Sequence, residues 1–217
     1  MDTKQPATVW DEIIAQASAQ KRPTPSEKRR FGLIPLPLRK TPEKTQALAV
    51  ERSIAEIDPA IRAAIRGLVS GELAWPFMVH GSVGTGKTCA MLALLDYAGG
   101  EYWSVSNLCQ YMNRAAMGRV EWSKEGRGGT LWPEMIWGRI GKAPLIVLDE
   151  IGCRSQVSDA HYEVVKEMID VRHRKPFAVI SNLDLATLGK LYDDRIVSRL
   201  SAGTVIELSG PDRRLEE

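Results

Sequence analysis

The feature that most restricts this chain is the octapeptide Gly81-Ser82-Val83-Gly84-Thr85-Gly86-Lys87-Thr88, which satisfies the spacing G-x-x-x-x-G-K-[ST] at every fixed position. Glycines at 81, 84 and 86 open backbone conformations closed to residues with a Cβ, so successive N–H groups can turn inward around phosphate oxygens. In such a cradle Lys87 reaches the β- and γ-phosphates and the Thr88 hydroxyl ligates Mg²⁺. The flanks agree. Phe77-Met78-Val79-His80 is a short, mostly apolar run suited to a buried strand, and Thr88 to Tyr97, with Cys89 directly after the loop, is rich in helix formers until Gly99-Gly100 stops it. Strand, glycine loop and helix follow in the required order, and the helix N-terminus adds partial positive charge at the phosphates.

A second anchor follows at Leu145-Ile146-Val147-Leu148-Asp149-Glu150, four apolar residues ending in two carboxylates. A continuous apolar run of this length reads as a central parallel strand buried on both faces. Its C-terminal end is where a doubly wound sheet puts its ligand site. Asp149 is then the candidate to hold Mg²⁺ with Thr88, and Glu150 the candidate to polarise an attacking water.

The remaining strands are Glu101–Ser106, Lys175–Asn182 and Thr204–Leu208, which makes five. Helices are expected over Asn107–Met117, Ser158–Arg174, Leu185–Leu191 and Asp193–Leu200. The fold class is therefore α/β, a parallel five-stranded sheet flanked by helices. The polar end of the 175–182 strand would stand beside the carboxylates. There the Asn182 amide, both donor and acceptor, can hydrogen-bond a lytic water or the γ-phosphate. The chain ends nine residues after the last strand, so no C-terminal lid domain is expected.

At 217 residues the chain can bury one full-sized core. Its three cysteines, at 89, 109 and 153, form no C-x-x-C pair, which argues against a disulfide framework or a zinc site. No run of 18 or more apolar residues exists, so no membrane span is expected and the cytoplasm is the natural compartment.

Residues 1–42 differ in kind. They hold eight basic residues against four acidic ones and prolines at 6, 23, 25, 35, 37 and 42, so they read as a tethered basic arm. Only Val9–Gln20 reads as a helix, with Trp10, Ile13, Ile14 and Ala17 on one side as a docking stripe for a partner. The main domain is expected over 43–217. Thr41 is the expected cap and Pro42 the first position of its opening helix, and Asp58-Pro59 starts a second.

Residues 118–130 are glycine-rich and basic, with Trp122 among them and Trp132 and Trp137 beyond. A basic, aromatic-bearing segment can track a single nucleic-acid strand while stacking its bases, and Arg119, Lys124 and Arg127 are the residues that would do so.

With the glycine loop, the strand ending in Asp149-Glu150-Ile151-Gly152, the segment from Met168 to Leu183 and the segment from Asp194 to Leu200 in that order, the chain resembles the AAA+ ATPases of the bacterial helicase-loader family. These are the DnaC type, with their relatives the IstB-type transposition helpers. The resemblance covers about residues 75–215. It implies a P-loop NTPase with an AAA+ core that uses ATP and Mg²⁺, with Gly81 to Thr88 as the Walker A loop, Asp149 and Glu150 as the Walker B acids and Asn182 as the first sensor. Arg199 then matches the arginine finger, with Arg195 the second choice, and Arg214 aligns with the second sensor arginine. In that family the finger acts in trans, so a ring or spiral homo-oligomer is implied. Implied partners are a replicative helicase and single-stranded DNA. Two other readings stay open: a transposition helper that grips duplex DNA, and an adaptor that binds ATP without hydrolysing it. The 118–130 loop is longer than the family leads one to expect.

Overall fold

Five strands, β1 (Phe77–Gly81), β2 (Glu101–Ser104), β5 (Ile146–Ile151), β6 (Phe177–Ser181) and β7 (Thr204–Leu208), lie side by side in the order β2-β5-β6-β1-β7, every pair parallel. They are seen in a computed structural model that describes residues 9–19, 33–45, 57–124, 127–153 and 157–212. Side chains alternate between the two faces of the sheet, as the pleat demands. Phe77, Val79, Val147, Ala178 and Ile180 enter one hydrophobic cluster, while Met78, Ile146, Leu148, Phe177 and Val179 enter the other. A strand apolar on both faces needs helices over both, and both are covered.

On the first face lie α1 (Val9–Ala19), α2 (Pro59–Ser70) and α3 (Lys87–Ala98). The second carries α4 (Val105–Ala116), α5 (Pro133–Lys142), α6 (Asp159–Val171), α7 (Leu185–Leu191) and α8 (Asp194–Ser201). Helix starts follow capping chemistry. Asp58 Oδ1 accepts from the Ala60 N–H with Pro59 behind it, and Ser104, Ser158, Asp184 and Asp193 cap α4, α6, α7 and α8. Among the described residues no helix is long and apolar enough to cross a membrane.

Four expectations need correction. The α4 helix starts at Val105 because the Ser104 side chain caps it, which shortens the preceding strand. Residues 133–142 form α5, absent from the sequence reading, with Ile136 and Ile140 four apart and buried. The glycine-rich loop is an antiparallel hairpin, β3 (Glu121–Lys124) with β4 (Arg127–Thr130), standing outside the main sheet. Residues 41–45 are not helical, so Thr41 and Pro42 open no helix; the rest of that expected helix, 46–56, lies outside the described residues.

The expected tethered arm also differs. Trp10 and Ile13 are fully buried in the first-face core, and the Trp10 ring stacks on Tyr97 at 4.8 Å between centroids. Burying a side chain such as Ile13 stabilises by roughly 1.5–3 kcal/mol, so the chain itself uses the apolar stripe. The stretch 33–45 is held by backbone bonds from Leu36 N to Val69 O and from Arg39 N to Tyr97 O, and by Trp75 Nε1 donating to Ile34 O.

Candidate functional site

Strand β1 ends at Gly81 and α3 begins at Lys87, so the glycine loop turns at the C-terminal end of the sheet. Gly84 and Gly86 take φ of 78° and 88°, left-handed values that a Cβ disfavours. At Gly84 a side chain would also collide with the Asp212 carboxylate, which lies against the loop after β7. The Lys87 ammonium, 5% exposed, donates to the carbonyls of Gly81 and Ser82 at 2.8 and 2.5 Å. It therefore sits inside the turn. Thr85 is buried and bonds back to the Ser82 carbonyl, while Ser82 and Val83 are exposed at the crest. Cys89 is half-buried on the first turn of α3.

The two acids emerge from an irregularity. Leu148 pairs with Val179 but Ile151 with Ser181, so β5 carries one residue more than β6 at Asp149–Glu150. In a regular strand neighbouring side chains point to opposite faces. Here the extra residue and the φ of 63° at Glu150 break that alternation and leave Asp149 buried and Glu150 exposed. Such strain in a non-glycine residue persists only where its surroundings enforce it. Asp149 Oδ1 accepts from the Glu150 N–H at 2.7 Å, while Oδ2 accepts from Thr88 Oγ1 at 2.8 Å and from the Tyr102 hydroxyl at 2.9 Å. Hard oxygen donors 2.8 Å apart match neighbouring ligands around Mg²⁺ with bonds of about 2.1 Å, so the donor set fits that ion.

Asn182 follows the last residue of β6, exposed, at this same C-terminal end. The arginines lie elsewhere. Arg195 and Arg199 occupy one face of α8, and both form ion pairs with Asp170 near the end of α6, the Arg195 contact at 3.3 Å. Arg199 lines a recess of about 370 Å³ with Trp75, Pro76 and Phe177, the residues that lead into or begin β1 and β6. This is the N-terminal end of the strands. Five residues of β1 at ~3.3 Å each separate it from the glycine loop. Arg199 thus cannot reach the phosphate cradle of its own chain. Arg214 lies outside the described residues, two positions beyond Asp212.

Compared with solved structures, the chain is similar to DnaA from Aquifex aeolicus bound to AMPPCP (20% identity, TM-score 0.50), over 62% of this chain and 40% of that one. It is likewise similar to the replication initiator DnaA bound to AMPPCP and single-stranded DNA (21%, 0.51), over 63% and 40%. What is shared is the fold, an α/β core with a parallel sheet flanked by helices. DnaI also matches, at 20% identity and TM-score 0.48, over 92% of this chain and 99% of that one. The chain spans about 40% of the length of the DnaA structures it matches. No family model and no curated protein matches the sequence.

Outside the five-stranded sheet, the hairpin pairs Trp122 with Gly129 and Lys124 with Arg127. With a side-chain period of two, Trp122, Lys124 and Arg127 share one face, and the indole lies across Gly129, where an added Cβ would come within 3.2 Å of Nε1. Trp122 and Trp132 are exposed, as are Arg119, Lys124 and Arg127, whereas Trp137 is partly buried against the core. Like charges directly opposite on a hairpin repel.

Three residues that hold the site residues in place escaped the sequence reading. Tyr102 bonds to Asp149, and burial followed by the nearby Asp149 charge pushes its phenol far above its ordinary value. Its signal was faint: a hydroxyl on the strand beside the carboxylate strand. Asp170 pairs with both arginines, and Asp212 rests on Gly84; each contact joins segments far apart in the chain.

Proposed function

We propose that the protein is a Mg²⁺-dependent ATPase that assembles side by side, contacts single-stranded DNA and loads or remodels a replicative helicase. The observation that carries the ATPase reading is the cluster of Lys87 inside its loop with Thr88 and Asp149 sharing a hydrogen bond of 2.8 Å. Thr88 and Asp149 would hold Mg²⁺, which when bound neutralises charge on the phosphate oxygens. The loop N–H groups and Lys87 bind and orient the triphosphate. Glu150, exposed beside the buried Asp149, takes the proton of the attacking water, and Asn182 orients that water. Tyr102 fixes the Asp149 carboxylate.

The fifth part is Arg199, delivered from the neighbouring subunit; its distance from the cradle of its own chain supports this, with Arg195 beside it held by the same Asp170. A cation that arrives only on assembly makes hydrolysis depend on assembly. Arg214 is retained as a candidate contact to the nucleotide, supported by the approach of Asp212 to Gly84. The exposed Trp122 face with Lys124 and Arg127, and Arg119 before it, supports single-strand binding by stacking and phosphate pairing. A protein of the same fold binds AMPPCP and single-stranded DNA together. The helicase client rests on the resemblance of the segments 168–183 and 194–200 to the loader family. We keep the division into an N-terminal arm over 1–42, with α1 against the core, and an ATPase domain over 43–217.

The test is ATP turnover with and without single-stranded DNA across a range of protein concentrations. Turnover per subunit should rise with concentration and with DNA. Arg199→Ala should lower it by about 10³-fold or more. Mixing Arg199→Ala with Lys87→Ala protein should restore part of it; no recovery, with both variants folded, would refute delivery in trans.

A further inference from the structure

We infer that Arg174 is a second arginine presented, together with Arg199, to the terminal phosphate held by the neighbouring subunit; this rests on the trans reading of Arg199 proposed above. The run Arg172-His173-Arg174-Lys175 joins α6 to β6. Two of its cations are occupied within the fold. The Arg172 guanidinium, 2% exposed, donates to the carbonyls of Ile140, Ala143 and Pro176, and burial lowers its pKa to about 10. Lys175 Nζ donates to the Gly141 carbonyl at 2.9 Å. Both therefore bind the C-terminal end of α5. Arg174 does neither: it is exposed, and its guanidinium has no hydrogen-bond or ion-pair partner among the described residues.

Its backbone marks it further. Arg174 has φ of 56°, and among the described residues the only other non-glycine residue with positive φ is Glu150. The position just past a helix end favours glycine or asparagine. An arginine there keeps a strain that glycine would remove, and such outliers gather where function needs the side chain. Arg174 and Arg199 line the same 370 Å³ recess, over a floor that includes Trp75 and Phe177. Two arginines lining one recess, one of them held by Asp170, suit a phosphate, which their guanidiniums can grip by paired hydrogen bonds. The recess is at the end of the sheet away from the glycine loop of its own chain, so a phosphate in its own cradle is out of reach. A cradle brought up by a second copy is the occupant that also places Arg199 at its target.

The test uses full-length Arg174→Gly, which suits the left-handed backbone, and Arg174→Lys, which keeps the charge without the fork. Arg174→Gly should melt at or above the parent temperature while turnover at saturating ATP falls about 10- to 100-fold, with KM for ATP changed less than about threefold. Arg174→Lys should recover only part of the loss. Mixing Arg174→Gly with Lys87→Ala protein should raise turnover per Arg174→Gly subunit by about fivefold or more. Parent-level turnover in Arg174→Gly, where Arg199→Ala has lost it, would overturn this inference and leave the trans reading of Arg199 standing. If Arg199→Ala is also fully active, that reading fails and this one with it. Loss without recovery on mixing would assign Arg174 to its own subunit and overturn the inference. So would inorganic phosphate binding to Lys87→Ala protein that Arg174→Gly abolishes while leaving turnover intact, since the recess would then take a free anion.

Discussion

The two ends of the central sheet are built on different principles. At the C-terminal end the groups that would meet a nucleotide come from contiguous stretches, and backbone does much of the positioning: a glycine turn, and one extra residue in β5 that separates Asp149 from Glu150. At the N-terminal end Arg174, in the connection from α6 to β6, and Arg199, on α8, line one recess, and Asp170 ties Arg199 to its α8 neighbour Arg195. The first end is pre-shaped by the strands themselves, and the second depends on side chains whose geometry a neighbour can still change. The contrast suits a division between holding a ligand and completing its chemistry.

The largest effect expected at the first end is from Glu150→Gln, which should lower turnover by roughly 10²- to 10⁴-fold while ATP binding, read by equilibrium titration, stays near the parent value. An adaptor that never hydrolyses ATP would show no change, and the contrast between the ends would lose its meaning. At the second end, Asp170→Asn should leave ATP affinity alone and reduce concentration-dependent turnover by about tenfold, because Arg199 loses the carboxylate that orients it. Equal loss in the mixed assay with Lys87→Ala would mean that Asp170 acts within the fold instead. Tyr102→Phe removes one of two hydroxyls on Asp149 Oδ2, a change of about 1 kcal/mol, and should raise the Mg²⁺ concentration for half-maximal turnover roughly fivefold. The smallest effect concerns pH. Hydrogen bonds from Tyr162 and the Ile196 N–H hold the Asp193 carboxyl below its usual value, at the start of the helix that bears the arginines. A lowered carboxyl stabilises the fold above its unfolded pKa and loses that contribution as pH falls through its folded one. The melting difference between parent and Asp193→Asn should therefore be full near neutrality and shrink below about pH 4.

What the chain disclosed in advance follows the same divide. The glycine loop, the carboxylate strand and the five parallel strands were legible because each is a local pattern, and the parallel α/β sheet followed from their order. The bulge was not, since register belongs to the pairing of β5 with β6. Gly138 and Gly141 masked α5, whose stability comes from Ile136 and Ile140 packing on the core. The glycines at 128 and 129 read as a loop, whereas Gly129 lets the Trp122 indole lie flat across the hairpin. The stripe on α1 was readable as amphipathic, but its target, Tyr97, lies almost ninety positions away. Arg195 and Arg199 were legible as a pair four apart on one helix face, but their role was named only through resemblance, and no local pattern pointed to Asp170.

Parallel strands have one consequence for how copies can meet. If a cradle at one end of a subunit is completed by arginines at the opposite end of the next, the contact is head-to-tail, and a two-fold pair would set arginine against arginine. An open row of such subunits always leaves one cradle uncompleted, so the output of each assembly would report its length and whether it has closed on itself.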